Sequence, residues 1–222
     1  MSHRESGPMM QVTIRHPSEG DLKDLVEIYY ACFPGRVREV FGGMHRRVFI
    51  VDYLRFYLAW DPANAWVYEN SSNVLGVVIA PCHYAPVRAA LVQGQVFSWL
   101  WHLLTGRYGI PIHILRLFVR GGFAFNSDAA MRELWGKPFI HLFAITPSAQ
   151  GQGIGATLLG WTLDQYRRQG VECCWLLVQE NNQRAITFYE RFGFRRHKLL
   201  ASGDLVMIWG DVYVGTRCRE RR

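Results

Sequence analysis

Acidic residues are missing from a long stretch of this chain. Between Asn70 and Ser127 there is no Asp or Glu, while Arg88, Arg107, Arg116 and Arg120, with His83, His102 and His113, all fall inside it. The chain as a whole carries 25 Lys and Arg against 18 Asp and Glu, a net charge of +7, and a second basic cluster, Arg217, Arg219, Arg221 and Arg222, ends it. A basic segment of this kind, carrying Trp99 and Trp101, suits an anionic lipid surface, a nucleic acid or an acidic substrate, and equally a solvated tail and a large buried insert. No nucleic-acid-binding module accompanies it, so specific nucleic-acid binding is not expected. Cysteine is sparse. The five, Cys32, Cys82, Cys173, Cys174 and Cys218, form no CxxC and no Cys/His pair at zinc spacing. That argues against a zinc module or other metal site and for reduced thiols in a cytoplasmic protein. No apolar run reaches the ~18 residues of a membrane span, and Met1 to Met10 lacks the apolar core of a signal peptide. Repeats and low-complexity segments are also lacking. Half of the 222 residues are hydrophobic and 19% are charged, which excludes a disordered chain. The length fits one large domain whose core needs no disulfide staple.

What is present is a series of short, well-punctuated elements. Gln11 to Arg15 alternates, with Val12 and Ile14 on one face, and predicts a strand. Ser18-Glu-Gly-Asp21 has capping-box spacing, with Asp in place of the usual Glu, and predicts a helix start at Ser18. Leu22, Leu25, Val26, Tyr29 and Cys32 carry that helix to Pro34. Arg36 to Trp60 reads as a less regular helical region interrupted at Gly42-Gly43. Ala65 to Tyr68 and Val74 to Ala80, around Asn70-Ser-Ser-Asn73, predict a hairpin. The last third is the most regular. Phe139 to Ile145 reads as a strand, Gly153 to Gln169 as a helix stopped by Gly170, and Cys173 to Val178 as a strand. Asn182 to Phe192 reads as a helix stopped by Gly193, and Phe194 to Leu200 and Leu205 to Trp209 as closing strands around Gly203-Asp204. Pro81 to Trp135 interrupts this series. Within it Val87 to Thr105 is apolar nearly all round and predicts a helix; Gly109-Ile-Pro111 ends it, and Ile112 to Arg120 predicts another. The expected organisation is a flexible tail over 1–10, one α+β domain over 11–210 with a helical insertion over 81–135, and a basic tail over 211–222.

Gln150-Gly151-Gln152-Gly153-Ile154-Gly155-Ala156 lies between a predicted strand and a predicted helix. Amides at a helix start lack intrahelical acceptors, and the macrodipole favours negative charge there. Glycines let an anion approach the backbone, so a pyrophosphate is the natural guest. Gly151-x-Gly153-x-x-Ala156 also fits a loose dinucleotide fingerprint. Against that, Thr146 to Gln150 intervenes between strand and glycines, Glu172 precedes the next strand and Glu180 comes late, beyond its end. The Gly-Lys-Ser/Thr ending of a P-loop is absent. A plain helix start with convenient glycines stays open on the turn alone.

Further along, Asn182, Ala185, Tyr189, Gly193 and Phe194 fall in the pattern N-x-x-A-x-x-x-Y-x-x-x-G-F. With Gln150, Gly153 and Gly155 in Q-x-x-G-x-G, and Ala144-Ile-Thr-Pro147 ahead of them, the chain resembles the GNAT superfamily of acyl-CoA-dependent N-acetyltransferases. The likeness is strong over Phe139 to Phe194 and weaker over 11–80 and 195–210. It implies a GNAT fold of the α+β class: a central mixed, mostly antiparallel sheet flanked by helices, here with a long helical insertion before the pyrophosphate-motif strand. It implies transfer of the acetyl group of acetyl-CoA, as co-substrate and without a metal, to a primary amine by direct attack in a ternary complex.

On that resemblance Phe143, Ala144 and Ile145 border the pantetheine arm, and the Ile145 N–H polarises the thioester carbonyl. Gln150 and the amides of Gly151, Gln152, Gly153, Ile154, Gly155 and Ala156 hold the pyrophosphate, and Asn182 bonds the pantetheine region. Tyr189 lies against the cofactor as general acid, protonating the departing thiolate. His141, expected on the same strand face as Phe143 and Ile145, is the candidate base, in a position similar to a strand histidine of serotonin N-acetyltransferase. Relatives often carry Glu where this chain has Phe139, and the ribosomal-protein alanine acetyltransferases carry Glu where it has Leu177. The acceptor, a small-molecule, peptide or lipid-linked amine, is expected to meet Phe33 to Arg47 and the insertion. Trp99, Trp101, Tyr108 and Phe118, with the nearby arginines, suit a lipid-linked or anionic acceptor, a peripheral contact with an anionic membrane, or a homodimer interface. Rival readings are transfer of a longer acyl group and a non-catalytic module of the same fold that binds acyl-CoA or docks a partner.

Overall fold

The computed structural model describes residues 12–35, 46–71, 73–83, 101–102, 105, 133–134 and 136–211. The expectations for the N-terminal tail, the Gly42-Gly43 interruption, most of the insertion with its two helices, and the tail beyond Asp211 lie outside the described residues.

Strand β1 (Val12–Arg15) pairs antiparallel with β2 (Ala65–Asn70), which forms the expected hairpin with β3 (Asn73–Ile79). Ser18 is the N-cap of the helical segment, as expected, with its capping box to Asp21 formed, but the first turn is not α-helical. Glu19–Asp21 is a 3-10 turn, and helix α1 runs Leu22–Cys32. The Asp21 carboxylate explains the tight entry. It accepts the Ser18 N–H at 2.6 Å, the Ser18 hydroxyl at 2.8 Å, and both terminal nitrogens of Arg15 at 2.7 and 2.9 Å. Arg15 also reaches Glu69 of β2 at 2.7 Å, so one guanidinium ties the helix entry to two strands. Helix α2 (Arg46–Trp60) follows and packs against α1.

Strand β4 (Phe139–Ile140) pairs parallel with β6 (Cys173–Gln179), at Phe139 with Trp175 and Ile140 with Leu176. Strand β5 (Leu142–Ile145) instead pairs antiparallel with β3. Strands β7 (Phe194–Leu199) and β8 (Asp204–Gly210) complete the second sheet. The strand orders are β1-β2-β3-β5 and β4-β6-β8-β7, and among the described residues β4 with β6 is the parallel pair.

The single strand expected over Phe139 to Ile145 is therefore divided at His141. The cause is a bulge. The His141 N–H bonds the Ile79 carbonyl at 2.8 Å, yet Leu142 is the residue in register with Ile79. His141 and Leu142 thus share one partner, and the extra residue bends the chain and inverts its alternation. Before the bend the chain belongs to one sheet; after it, to the other.

The period of two along each strand sends alternate side chains to opposite faces. Helices α1 and α2 cover one face, with Leu25, Ile50 and Leu54 against Val77, Ile79 and Ala144. Helices α3 (Ile154–Arg168) and α4 (Gln183–Arg191) cover the other, with Leu158, Leu163 and Ile186 against Val78, Ile140 and Leu176. Each such fully buried Leu or Ile contributes about 2 kcal/mol of transfer free energy. Cys173 and Cys174 are buried on β6 and, like Cys32 and Cys82, unbridged.

Candidate active site

Where β5 parts from β6 the sheets leave a cleft of about 1220 Å³. Tyr29, Cys32 and Phe33 of α1 and its end, with Tyr53 and Tyr57 of α2, form one wall. The glycine turn and α4 form the other.

The turn is built to present its backbone. Pro147–Ala149 is a 3-10 turn, after which the Gln150 side chain donates back to the Ile145 carbonyl at 3.0 Å and pins the turn to the strand end. Gly151 and Gly153 both have φ +82°, a left-handed conformation that side chains resist. A Cβ added at either would meet nothing within 4 Å, so the space beside the backbone is open. The first bond of α3 is the Thr157 N–H to the Gly153 carbonyl at 3.0 Å. Among the described residues the six N–H groups from Gly151 to Ala156 find no acceptor. A run of free donors at the positive end of a 15-residue helix, with no acidic residue in its first turn, is an arrangement that could hold an anion of phosphate size or larger.

The edge of β5 continues this donor surface. The Thr146 N–H bonds the Leu75 carbonyl at 2.8 Å, and the alternation of an antiparallel ladder then turns the N–H and C=O of Phe143 and Ile145 away from β3. The Ile145 carbonyl agrees, since it accepts from Cys32 Sγ at 3.1 Å and from Gln150 on the open side. Gly76 lies opposite: a Cβ there would come within 2.5 Å of Ile145 Cδ1, so this glycine lets the Ile145 side chain seat.

Tyr189 sits buried on α4, its ring 6.2 Å from Phe143, 5.4 Å from Phe188 and 5.6 Å from Phe194, centre to centre. Its hydroxyl meets no hydrogen-bonding partner among the described residues. Burial holds the phenol well above its ordinary pKa, so at neutral pH it is a proton donor.

His141 does not share the face of Phe143 and Ile145. The bulge places it with Leu142 and Ala144, toward α2. Its Nε2 meets the Tyr53 hydroxyl, and its ring stacks on Tyr57 at 3.7 Å and 18°. Both His141 and Tyr189 line the cleft, from opposite faces of the β4–β5 chain.

Asn182 caps α4, its Oδ1 accepting the Ala185 N–H at 3.1 Å, which leaves its NH2 for a ligand. Gln152 turns back to the Ser148 carbonyl at 3.1 Å, so of the two glutamines neither side chain is free in the turn. Ile154 is a core residue, and a Cβ added at Gly155 would meet the Ile145 and Phe188 side chains at 3.6 Å, ordinary contact distance. Phe139 stacks on Trp175, and Leu177 lies half-buried in the cleft wall. Tyr53 and Tyr57 were not singled out from the sequence, although their i, i+4 spacing, continued back from Phe49, marks an aromatic stripe. Among the described residues no group of three His, Cys, Asp or Glu is placed to hold a metal ion, and no helix is long and apolar enough to cross a membrane.

Comparison with known proteins agrees with the geometry. The model of the Acetyltransferase (GNAT) family matches residues 22–194. A mycothiol acetyltransferase of Geodermatophilus obscurus is 43% identical over 58 residues, 26% of this chain and 19% of that protein. The [ribosomal protein bS18]-alanine N-acetyltransferase of Escherichia coli K12 is 41% identical over 51 residues, 23% of this chain and 34% of that protein. The matches thus span well under half the length of either relative. The crystal structure of PaiA N-acetyltransferase from Thermoplasma acidophilum, in complex with coenzyme A, superposes with a TM-score of 0.57 at 15% identity, over 91% of this chain and all of that one. A split sheet, a glycine turn with six free amides, and a family match over most of its length show that this chain belongs to the GNAT acetyltransferase family.

Proposed function

We propose that this chain transfers the acetyl group of acetyl-CoA to a primary amine by direct attack while both substrates are bound. The observation that carries the reading is the run of unpaired amides from Gly151 to Ala156, continuous with the open edge of β5. A diphosphate fits the first, and an extended amide chain such as pantetheine fits the second as an added strand. Acetyl-CoA supplies an acyl group activated as a thioester.

The chain's own residues do the rest. The amides of the turn neutralise the diphosphate charge. Gln150 holds the turn against Ile145. The N–H of Ile145, aimed at the open edge, donates to the thioester carbonyl oxygen as negative charge develops there. The Asn182 NH2 orients the pantetheine arm. His141 draws a proton from the acceptor ammonium, and Tyr189 supplies one to the departing sulfur. The acceptor, a small-molecule, peptide or lipid-linked amine, enters against Tyr29, Phe33 and Tyr57.

Thermal unfolding with acetyl-CoA tests this. A ligand at 100 times its Kd adds about 2.7 kcal/mol, a shift of a few degrees. Ala156 is exposed on the first turn of α3, so Ala156→Glu places a carboxylate at the anion site without backbone strain. The expected result is a shift in the wild-type chain that is lost in a normally folded Ala156→Glu. No shift in the wild-type chain removes acetyl-CoA as the substrate. A shift without acetylation of any offered amine favours a non-catalytic acyl-CoA-binding module.

A further inference from the structure

The candidate base is not presented bare. The His141 Nε2 faces the Tyr53 hydroxyl, and the imidazole is held between Tyr57, stacked at 3.7 Å, and Phe139, edge-on at 5.4 Å. Tyr53 is fixed in turn by Tyr57 at 5.0 Å, Tyr29 at 6.2 Å and Phe49 at 6.3 Å. Tyr53 is half-buried and lines the cleft. The ring nitrogen that would take a proton therefore meets the hydroxyl of a residue that itself lines the cleft.

We infer that Tyr53 is the group through which His141 takes the acceptor's proton. The inference rests on the acetyltransferase reading above. The relay uses the Nδ1–H tautomer, in which Nε2 accepts from the Tyr53 hydroxyl. An N–H bond of the acceptor ammonium breaks and its proton passes to Tyr53 Oη. The proton already on Oη passes at the same time to His141 Nε2, giving imidazolium and leaving Tyr53 neutral. The free amine attacks the thioester carbonyl; the C–N bond forms and the C–S bond breaks. Sulfur takes its proton from Tyr189, which regains one through solvent as nitrogen loses its second proton to become an amide. His141 returns its proton to solvent, so one proton is released per turnover and nothing is oxidised or reduced. An alkyl ammonium holds its proton more tightly than an imidazole does, so the transfer is uphill and is drawn forward by the attack that consumes the free amine. The titratable groups on this wall are Tyr29 and Cys32 of α1 and Tyr53 and Tyr57 of α2. Arg184 and Arg191 come from α4, and Asp52, next to Tyr53, faces Arg55 and His102 at 3.6 and 3.5 Å.

The test uses the full chain, Tyr53→Phe, His141→Gln and the double variant. Acetyl-CoA binding is read by thermal shift. Turnover is read with tryptamine, spermidine, glucosamine and an alanine-initiated peptide between pH 6 and 10. Expected is a loss of about a hundredfold in kcat for Tyr53→Phe with the acetyl-CoA shift retained. The same loss is expected for His141→Gln, with no further loss in the double variant, and in all three kcat/KM climbs toward pH 10 with the free-amine fraction of the acceptor. Tyr53→Phe within threefold of the wild-type chain, or losses that multiply in the double variant, overturns the relay alone. No turnover by the wild-type chain removes the acetyltransferase reading and the relay together.

Discussion

Asp21 shows how much one residue can organise. Its carboxylate accepts four hydrogen bonds, two of them from Arg15, and these hold its pKa well below the usual carboxylate range against the opposing cost of burial. Because the folded pKa is lower than the unfolded one, the resulting stability is fully present above about pH 4 and is lost as pH falls further. Asp21→Asn should cost about 2 kcal/mol at pH 7, with Arg15 keeping Glu69 as a partner. The difference from the wild-type chain should narrow below about pH 4. Thermal unfolding at stepped pH checks both, and a pH-independent difference would remove the ion pair as the cause. Ser18 and Asp21 were legible in the sequence because a capping box is local. Arg15 as their third member was not, since nothing in a linear pattern says that a strand end lies beside a helix start. Tyr189 and Tyr53 repeat the contrast. Tyr189 stands out by its spacing from Asn182 and Gly193, whereas Tyr53 lies 88 positions from His141 and only folding brings them together.

Among the elements, helix and strand identities over the last third followed directly from the sequence. The glycines that stop α3 and α4, Gly170 and Gly193, both adopt positive φ, as a helix C-terminus requires. The bulge at His141–Leu142 left no such mark. Phe139 to Ile145 is apolar on both faces because helices cover both sides, so the alternation that would reveal an extra residue is absent. Gly210 was equally silent. It ends β8 with φ +80°, and a Cβ there would fall 1.8 Å from the Glu172 carbonyl oxygen. Backbone cannot yield to it as a side chain could. Gly210→Ala should lower unfolding free energy by about 3 kcal/mol, read as a lower urea midpoint at unchanged m. An unshifted midpoint would mean that the strand end is free to move away.

For the whole molecule, the consequence of the split sheet is one cleft with α1 and α2 along one wall and the glycine turn and α4 along the other. If acetyl-CoA occupies the turn and the β5 edge, hydrogen exchange should slow at the amides of Gly151 to Ala156 and at Ile145 when it binds. Amides within α2 should be little changed. Slowing confined to α2 would place the ligand on the acceptor wall and overturn the assignment. The sequence by itself determined the family and, outside the insertion, the order of elements, and it marked the glycine turn, Asn182 and Tyr189. These are features of short range, in which backbone conformation and residue spacing carry the chemistry directly. Only the tertiary structure decided that the strand before the turn divides between two sheets. It alone placed His141 on the α2 side and put Tyr53 over its Nε2, because a bulge reverses side-chain direction and contacts between distant segments depend on how helices cover a sheet.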